Sequence, residues 1–234
     1  MTLSTLSRRC ATSASLYSSG VFSVMTDKPR TSDDALRIAR SLAIEQYARM
    51  ESALCVMFAG LAGIPHDRAA LIYYKIGHSA TRNNMVGSLV EHVHGETFKV
   101  FWDTTPKARG VAPISGFWKF VGALDDQRNN IVHWHPSESV SVVLGSNETK
   151  RWEDFRPAFH HARLKGEKPI RTPELDDFTA RAEYAEQMLI RFHLATVKPK
   201  NLGGELQTWL QIFQQPPAYP PPEDHPVIPL LPKR

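Results

Sequence analysis

Between Leu36 and Leu61 the apolar side chains return every three or four residues: Leu36, Ala39, Ala43, Tyr47, Met50, Leu54, Met57 and Leu61. That period marks one face of an α-helix, and a stripe this long must be covered by other elements. Thr31 followed by Asp34 forms a weakened capping box before the stripe, with Asp in place of Glu. Gly63-Ile64-Pro65 ends it, because the residue before a proline is pushed out of the α region. After Pro65 the same period runs through Ala69, Ile72, Ile76, Gly77, Ala80, Met85, Leu89 and Val93, which predicts a second long helix to about His94.

Residues 95–112 hold Gly95, Pro106 and Gly110 and read as a long loop. A third helix follows Pro113, with Phe117, Phe120, Val121, Leu124 and Ile131 on one stripe, and Pro136 stops it. Ser139–Leu144 alternates and then continues apolar, which predicts a short extended run pairing with Pro169-Ile170-Arg171. Thr172 as N-cap and Pro173 at the first helical position open a last helix. Phe178, Ala182, Ala185, Met188, Leu189 and Phe192 carry that helix to about Val197. The predicted fold class is all-α: a bundle of four to five helices, with a short two-stranded extended insertion before the last one.

The flanks read differently. Residues 1–26 contain no Asp or Glu, two Arg and seven Ser, a composition that resembles a transit peptide. The reading we favour is a disordered leader spanning 1–30, or a start upstream of the true initiator Met25. Eight of the 17 prolines fall in the last 19 residues, so 199–234 reads as a proline-rich, polyproline-like tail outside a folded unit at 31–198.

Composition excludes several classes. Two cysteines, Cys10 and Cys55, are too few for a disulfide framework or a four-cysteine zinc site, and suit a reducing, cytoplasmic setting. No apolar run approaches the roughly eighteen residues of a membrane span, so no membrane association is predicted. A net charge of +4 is compatible with nucleic acid but is no electrostatic signature. The pairs His92/His94, His133/His135 and His160/His161 are spaced by two, which puts partners about 200° apart on a helix. On those spacings no metal and no cofactor are predicted. Ser79 and Ser115 lack a Gly-x-Ser-x-Gly frame, Cys55 lies on the apolar stripe as a structural thiol, and no phosphate-binding glycine loop occurs.

The informative segment is Leu124-Asp125-Asp126-Gln127-Arg128-Asn129-Asn130-Ile131-Val132-His133-Trp134-His135-Pro136. Arg128 and His133 form an Arg-x4-His pair, with Asn129 directly after the arginine, near the end of a helix. This resembles the HEPN family, helical bundles that include many small RNA-cleaving toxins, and the resemblance covers about 32–197. The run from Ile72-Tyr73-Tyr74 to Arg82-Asn83-Asn84-Met85-Val86 is similar to such proteins as well. The spacing alone is weak: with 10 histidines in the chain a second pair, Arg156…His161, occurs and is read as a decoy because Pro157 interrupts it. Some members carry a tyrosine two residues after the histidine, modified by a partner nucleotidyltransferase. Here that position is His135, which puts this form of silencing in doubt.

The resemblance implies a homodimer that cleaves RNA without metal, with Arg128 and His133 catalytic, Asn129 supporting, and a toxin or defence role that can include an antitoxin protein. The alternative is a non-catalytic module binding RNA or protein. The residues themselves fit the chemistry. Histidine can give and take protons near neutrality, and arginine offers a charged planar fork to phosphate. In an ideal helix, however, five residues leave the two side chains about 140° apart and about 7.5 Å along the axis. Either a loosened last turn realigns His133, or two chains converge across a two-fold axis. Trp134 and Asn130 are the candidate substrate-binding residues, Trp134 by stacking on a base.

Overall fold

The computed structural model describes residues 32–103, 116–142, 149–157 and 168–230. Seven α-helices stand in this part of the chain: α1 (Ser32–Ala62), α2 (His66–Tyr73), α3 (Ser79–His94), α4 (Lys99–Asp103), α5 (Gly116–His133), α6 (Thr172–Val197) and α7 (Leu206–Ile212). One antiparallel ribbon joins β1 (His135–Val142) to β2 (Thr149–Arg156). The protein is therefore mostly helical with a small two-stranded insertion between α5 and α6.

The stripe of α1 packs as its period predicts. Leu36, Ala39, Ala43, Tyr47, Met50, Leu54 and Met57 are buried, and so is Cys55, whose thiol is pushed up by that burial. Its principal partner is α6, which buries Phe178, Ala182, Ala185, Met188, Leu189 and Phe192. The two helices close tightly at Gly60, where any Cβ would run into the His193 imidazole. All five predicted core residues of α5 are buried.

The single helix expected over 66–94 is two helices. The chain breaks at Tyr74–His78, with Gly77 inside the break, and α3 starts afresh at Ser79. The break also shifts the buried face. Ile72 and Val93 are 49% and 48% exposed, while the core takes Tyr73, Val86 and Val90. The loop expected over 95–112 contains α4, which buries Phe101 and Trp102. Of the run Ser139–Leu144, Val143 and Leu144 lie outside the described residues, and Ser139–Val142 does not pair with Pro169-Ile170-Arg171 as a strand. Its partner is β2, in the register His135↔Arg156 to Val142↔Thr149, and Ile170 adds only an isolated bridge to Phe155. The N-cap position of α6 is Arg171, one residue earlier than read, and its backbone N–H donates to Glu174 Oε2 at 3.0 Å. Thr31, Pro113, Ser115, His160 and His161 lie outside the described residues, as does the leader 1–30.

The largest correction concerns the proline-rich segment, whose described residues, 199–230, pack into the folded unit. After a 3₁₀ turn at Pro199–Glu205, α7 delivers Trp209, Ile212 and Phe213 into the core, and Val227 follows from the proline-rich stretch. Phe213 sits 5.1 Å from both Phe101 and Phe192, edge to face, and Tyr219 lies 5.2 Å from Tyr184. Proline sets local backbone angles but does not forbid burial of its neighbours. Leu202, Leu206, Trp209, Leu210 and Phe213 carry the three-and-four spacing that the proline content masked.

Two outcomes follow from this packing. Replacing the fully buried Trp209 by alanine is expected to cost about 3–5 kcal/mol. At about 2–4 °C per kcal/mol for a chain of this size, thermal unfolding should fall by roughly 10 °C. An unchanged melting temperature would show that α7 does not hold the core. The second concerns acid. Burial holds His94, His193 and His225 below the ordinary imidazole value, so the folded state resists protonation. The unfolded chain binds those protons first as pH drops below about 6.5, so folding stability should fall there and stay flat above. Urea midpoints at pH 7 and 5.5 measure this, and His94→Phe should narrow the gap between them.

Candidate functional site

α5 carries the whole Arg-Asn-x-x-x-His segment and remains α-helical to His133. The next backbone N–H, that of Trp134, still reaches the Asn130 carbonyl at 2.9 Å. No loosened turn rotates His133 toward Arg128, so the two keep the helical offset of about 140°. Beyond His133 the chain turns directly into β1, with Pro136 in the strand rather than at the helix end.

Arg128 is half-buried, and its guanidinium lies over the Tyr47 ring at 5.4 Å from the centroid. One Nη donates to Asn129 Oδ1 at 3.1 Å, and the buried Nε has no partner among the described residues. The Arg128 side chain is thus held by α1 and by its own neighbour. His133 is exposed at the helix end, as is His135 at the start of β1. Two carbonyls in the last turn of α5 are taken by Arg40 from α1, whose Nε donates to Ile131 at 2.9 Å and whose Nη2 donates to Val132 at 2.7 Å. A fixed positive charge therefore already answers the negative end of the α5 dipole beside His133.

Trp134 does not match its predicted role. It is 4% exposed and part of the core, because the turn from α5 into β1 directs it inward, and it presents no face to a base. Asn130 is half-buried, and its carbonyl serves the helix ladder. The decoy arginine, Arg156, is on β2 rather than on a helix and binds Asp154 at 2.8 Å. His92 and His94 do sit on a helix, and His94 packs edge-on against Phe98 and Phe192. Among the described residues no three His, Cys, Asp or Glu side chains gather as metal ligands, and no single helix is long and apolar enough to cross a membrane.

Beneath Arg128 lies a polar cluster that motif reading missed. Asp125, one turn before Arg128, is 8% exposed. Its Oδ1 accepts the Tyr47 hydroxyl at 2.6 Å, and its Oδ2 accepts the hydroxyl of Ser79 at the start of α3. Burial, then the adjacent Asp125, push the Tyr47 phenol far above its ordinary range, so it stays a donor. One turn along α1, Glu51 pairs with Arg82, which also donates to the Ile76 carbonyl at 2.8 Å and lies over the Tyr73 ring. A signal existed: Tyr47 is the one polar-tipped side chain on the α1 stripe, and Asp125 follows core residue Leu124 directly.

Asp125 also borders an open cleft of about 510 Å³ between α3, α4 and α5, walled by Trp102, Trp118 and Gly122, with Asn83, Glu91 and Asp126 among its polar lining. No protein-family model matches the chain, and neither a curated protein nor a solved structure matches it.

The Asp125 cluster yields a stability prediction. Tyr47→Phe removes one of two hydroxyls from a buried carboxylate, and hydrogen bonds to charged groups are worth about 1.5–3 kcal/mol. Chemical denaturation should show a loss of that size. Tyr47→Phe with Ser79→Ala should lose less or more than the sum of the single changes, since both act on Asp125. Strict additivity would mean that the three residues do not form one unit.

Proposed function

We propose that this protein is a metal-independent endoribonuclease of the HEPN type, acting on RNA in the cytoplasm as a homodimer, in a toxin or defence role. The observation that carries the reading is the state of the two motif residues. Arg128 is clamped by Tyr47 and Asn129 with its second Nη free of hydrogen bonds among the described residues, while His133 stands exposed on the same helix, about 7.5 Å further along its axis. A preorganised cation and an accessible imidazole are what phosphodiester cleavage by an internal hydroxyl needs.

Because α5 is regular to its end, one chain cannot aim both groups at one phosphate. Two copies related by a two-fold axis bring two arginines and two histidines into one cleft. One histidine then takes the 2′-hydroxyl proton while the other protonates the leaving 5′-oxygen, and the guanidinium groups hold the charged phosphate. A second reading, a non-catalytic module binding RNA or protein, draws on the buried Nε of Arg128, which also suits a purely structural clamp.

Cleavage tests separate the two. Wild-type protein should cut RNA in excess EDTA, leave 2′,3′-cyclic or 3′-phosphate ends, and spare DNA, which lacks the attacking hydroxyl. The rate should trace a bell in pH. His133→Ala should abolish cutting with little change in melting temperature and relieve any toxicity on expression, whereas His135→Ala should keep most activity. Light scattering at micromolar concentration should give about twice 26.3 kDa. A requirement for divalent metal, equal cutting of DNA, or an active monomer would defeat this mechanism.

A further inference from the structure

The Arg128–His133 chemistry leaves the cleft between α3, α4 and α5 unused. Its size lies within the range of small-molecule sites. Trp102 and Trp118 stack in it with ring centroids 4.5 Å apart and planes 23° from parallel, offering a flat aromatic wall. Trp102 is 2% exposed, and its indole N–H has no acceptor among the described residues. A buried donor of this kind is an exception to the rule that buried polar groups are paired, and it leaves room for an acceptor from outside the chain. Around it stand Glu91, Asp103 and Asp126, three carboxylates with no hydrogen bond or ion pair among the described residues, whereas Glu96 is held by Lys99 at 2.9 Å.

These walls define a ligand that is flat, brings adjacent N–H donors for a carboxylate, and carries an acceptor for an indole N–H. A simple ammonium ion has no acceptor, and a phosphate is repelled by the carboxylates. Among the RNA bases guanine alone presents two neighbouring donors, N1–H and the N2 amine, together with the acceptors O6 and N7. Position agrees with this. His133 is seven residues beyond Asp126, which places it within about 20° of the same line on α5 and about 10.5 Å along the axis. The cleft and the exposed imidazole therefore share one face of the helix, and Arg128 is on another.

We propose that this cleft receives a guanine base splayed out of single-stranded RNA next to the scissile phosphate, so that cleavage is guanine-selective. The inference rests on the ribonuclease reading for its role in cleavage, but base binding can be measured without any cutting. Trp118 supplies the stacking face, Asp126 with Glu91 or Asp103 accepts from N1–H and N2, and Trp102 donates to the base. The carboxylates keep the phosphates at the rim.

Gly122 gives a clean probe. It lines the cleft on a regular helix, and a Cβ placed on it meets nothing within 4 Å. Gly122→Leu should fill the cleft while leaving the melting temperature unchanged or higher, since leucine favours helix over glycine. Calorimetric titration of the full chain with guanosine, inosine, adenosine and uridine should show guanosine bound at least tenfold more tightly than the others, inosine lacking only the N2 amine. Gly122→Leu, and separately the triple change Glu91→Gln/Asp103→Asn/Asp126→Asn, should each weaken guanosine at least tenfold. Absence of guanosine binding, equal binding of inosine, or binding that survives Gly122→Leu would overturn the proposal. RNA cut without base preference would overturn it while the nuclease reading stands. Guanosine binding by a protein that cuts no RNA would leave the pocket and remove the nuclease.

Discussion

A carboxylate that is almost wholly removed from water must find donors, and Asp125 finds them on two other helices. The Tyr47 hydroxyl comes from the middle of α1 and the Ser79 hydroxyl from the first residue of α3. Leaving either donor out would take one of two hydrogen bonds from a buried carboxylate, at a cost of about 1.5–3 kcal/mol. The three groups therefore fix the rotation of α5 about its axis and the place where α3 begins. The break between α2 and α3 serves the same contact, since a continuous helix through 74–78 would carry Ser79 on a different line.

That rotation decides what each side of α5 does. With Asp125 pinned inward, Arg128 comes to rest on the Tyr47 ring, and its guanidinium forms no ion pair among the described residues. Asp126 turns to the open cleft, and His133 follows on the same side of the helix. Arg40 closes the helix end by binding the Ile131 and Val132 carbonyls, and its guanidinium also covers the Phe155 ring from β2 at 4.7 Å. The ribbon is thereby seated on α1, and Trp134 enters the core in the turn between helix and strand. The residue next to the catalytic candidate is structural for that reason.

Much of the helical frame was legible because burial on a helix leaves a strict period. Leu36 to Met57, Phe117 to Ile131 and Phe178 to Phe192 are buried along the lines their spacing drew. Periodicity was misleading where an interruption reset the phase. In 66–94 the alternatives Ile72 and Tyr73, or Leu89 and Val90, differ by one position, and only the turn at Tyr74–His78 selects between them. Short elements fared worst: α4 is a single turn within a glycine- and proline-marked stretch, and β2 is charged enough to read as loop. In 199–230 prolines outweighed an aromatic stripe in the reading, although Trp209 and Phe213 are fully buried.

The candidate site divides along the same line. The amino-acid sequence by itself determined that Arg128, Asn129 and His133 share one helix near its end, because local spacing and helix geometry need no tertiary information. It also determined the angle that keeps the arginine and histidine apart within one chain. Only the tertiary structure decided that Arg128 is clamped on Tyr47, that Trp134 is core rather than platform, and that Asp125 and not a motif residue is the buried anchor. Only it brought Trp102, Trp118, Glu91 and Asp126 to one cleft from three helices. Those outcomes depend on contacts between residues far apart in the chain, where free energy is set by which polar groups lose water together, and no local pattern encodes that pairing.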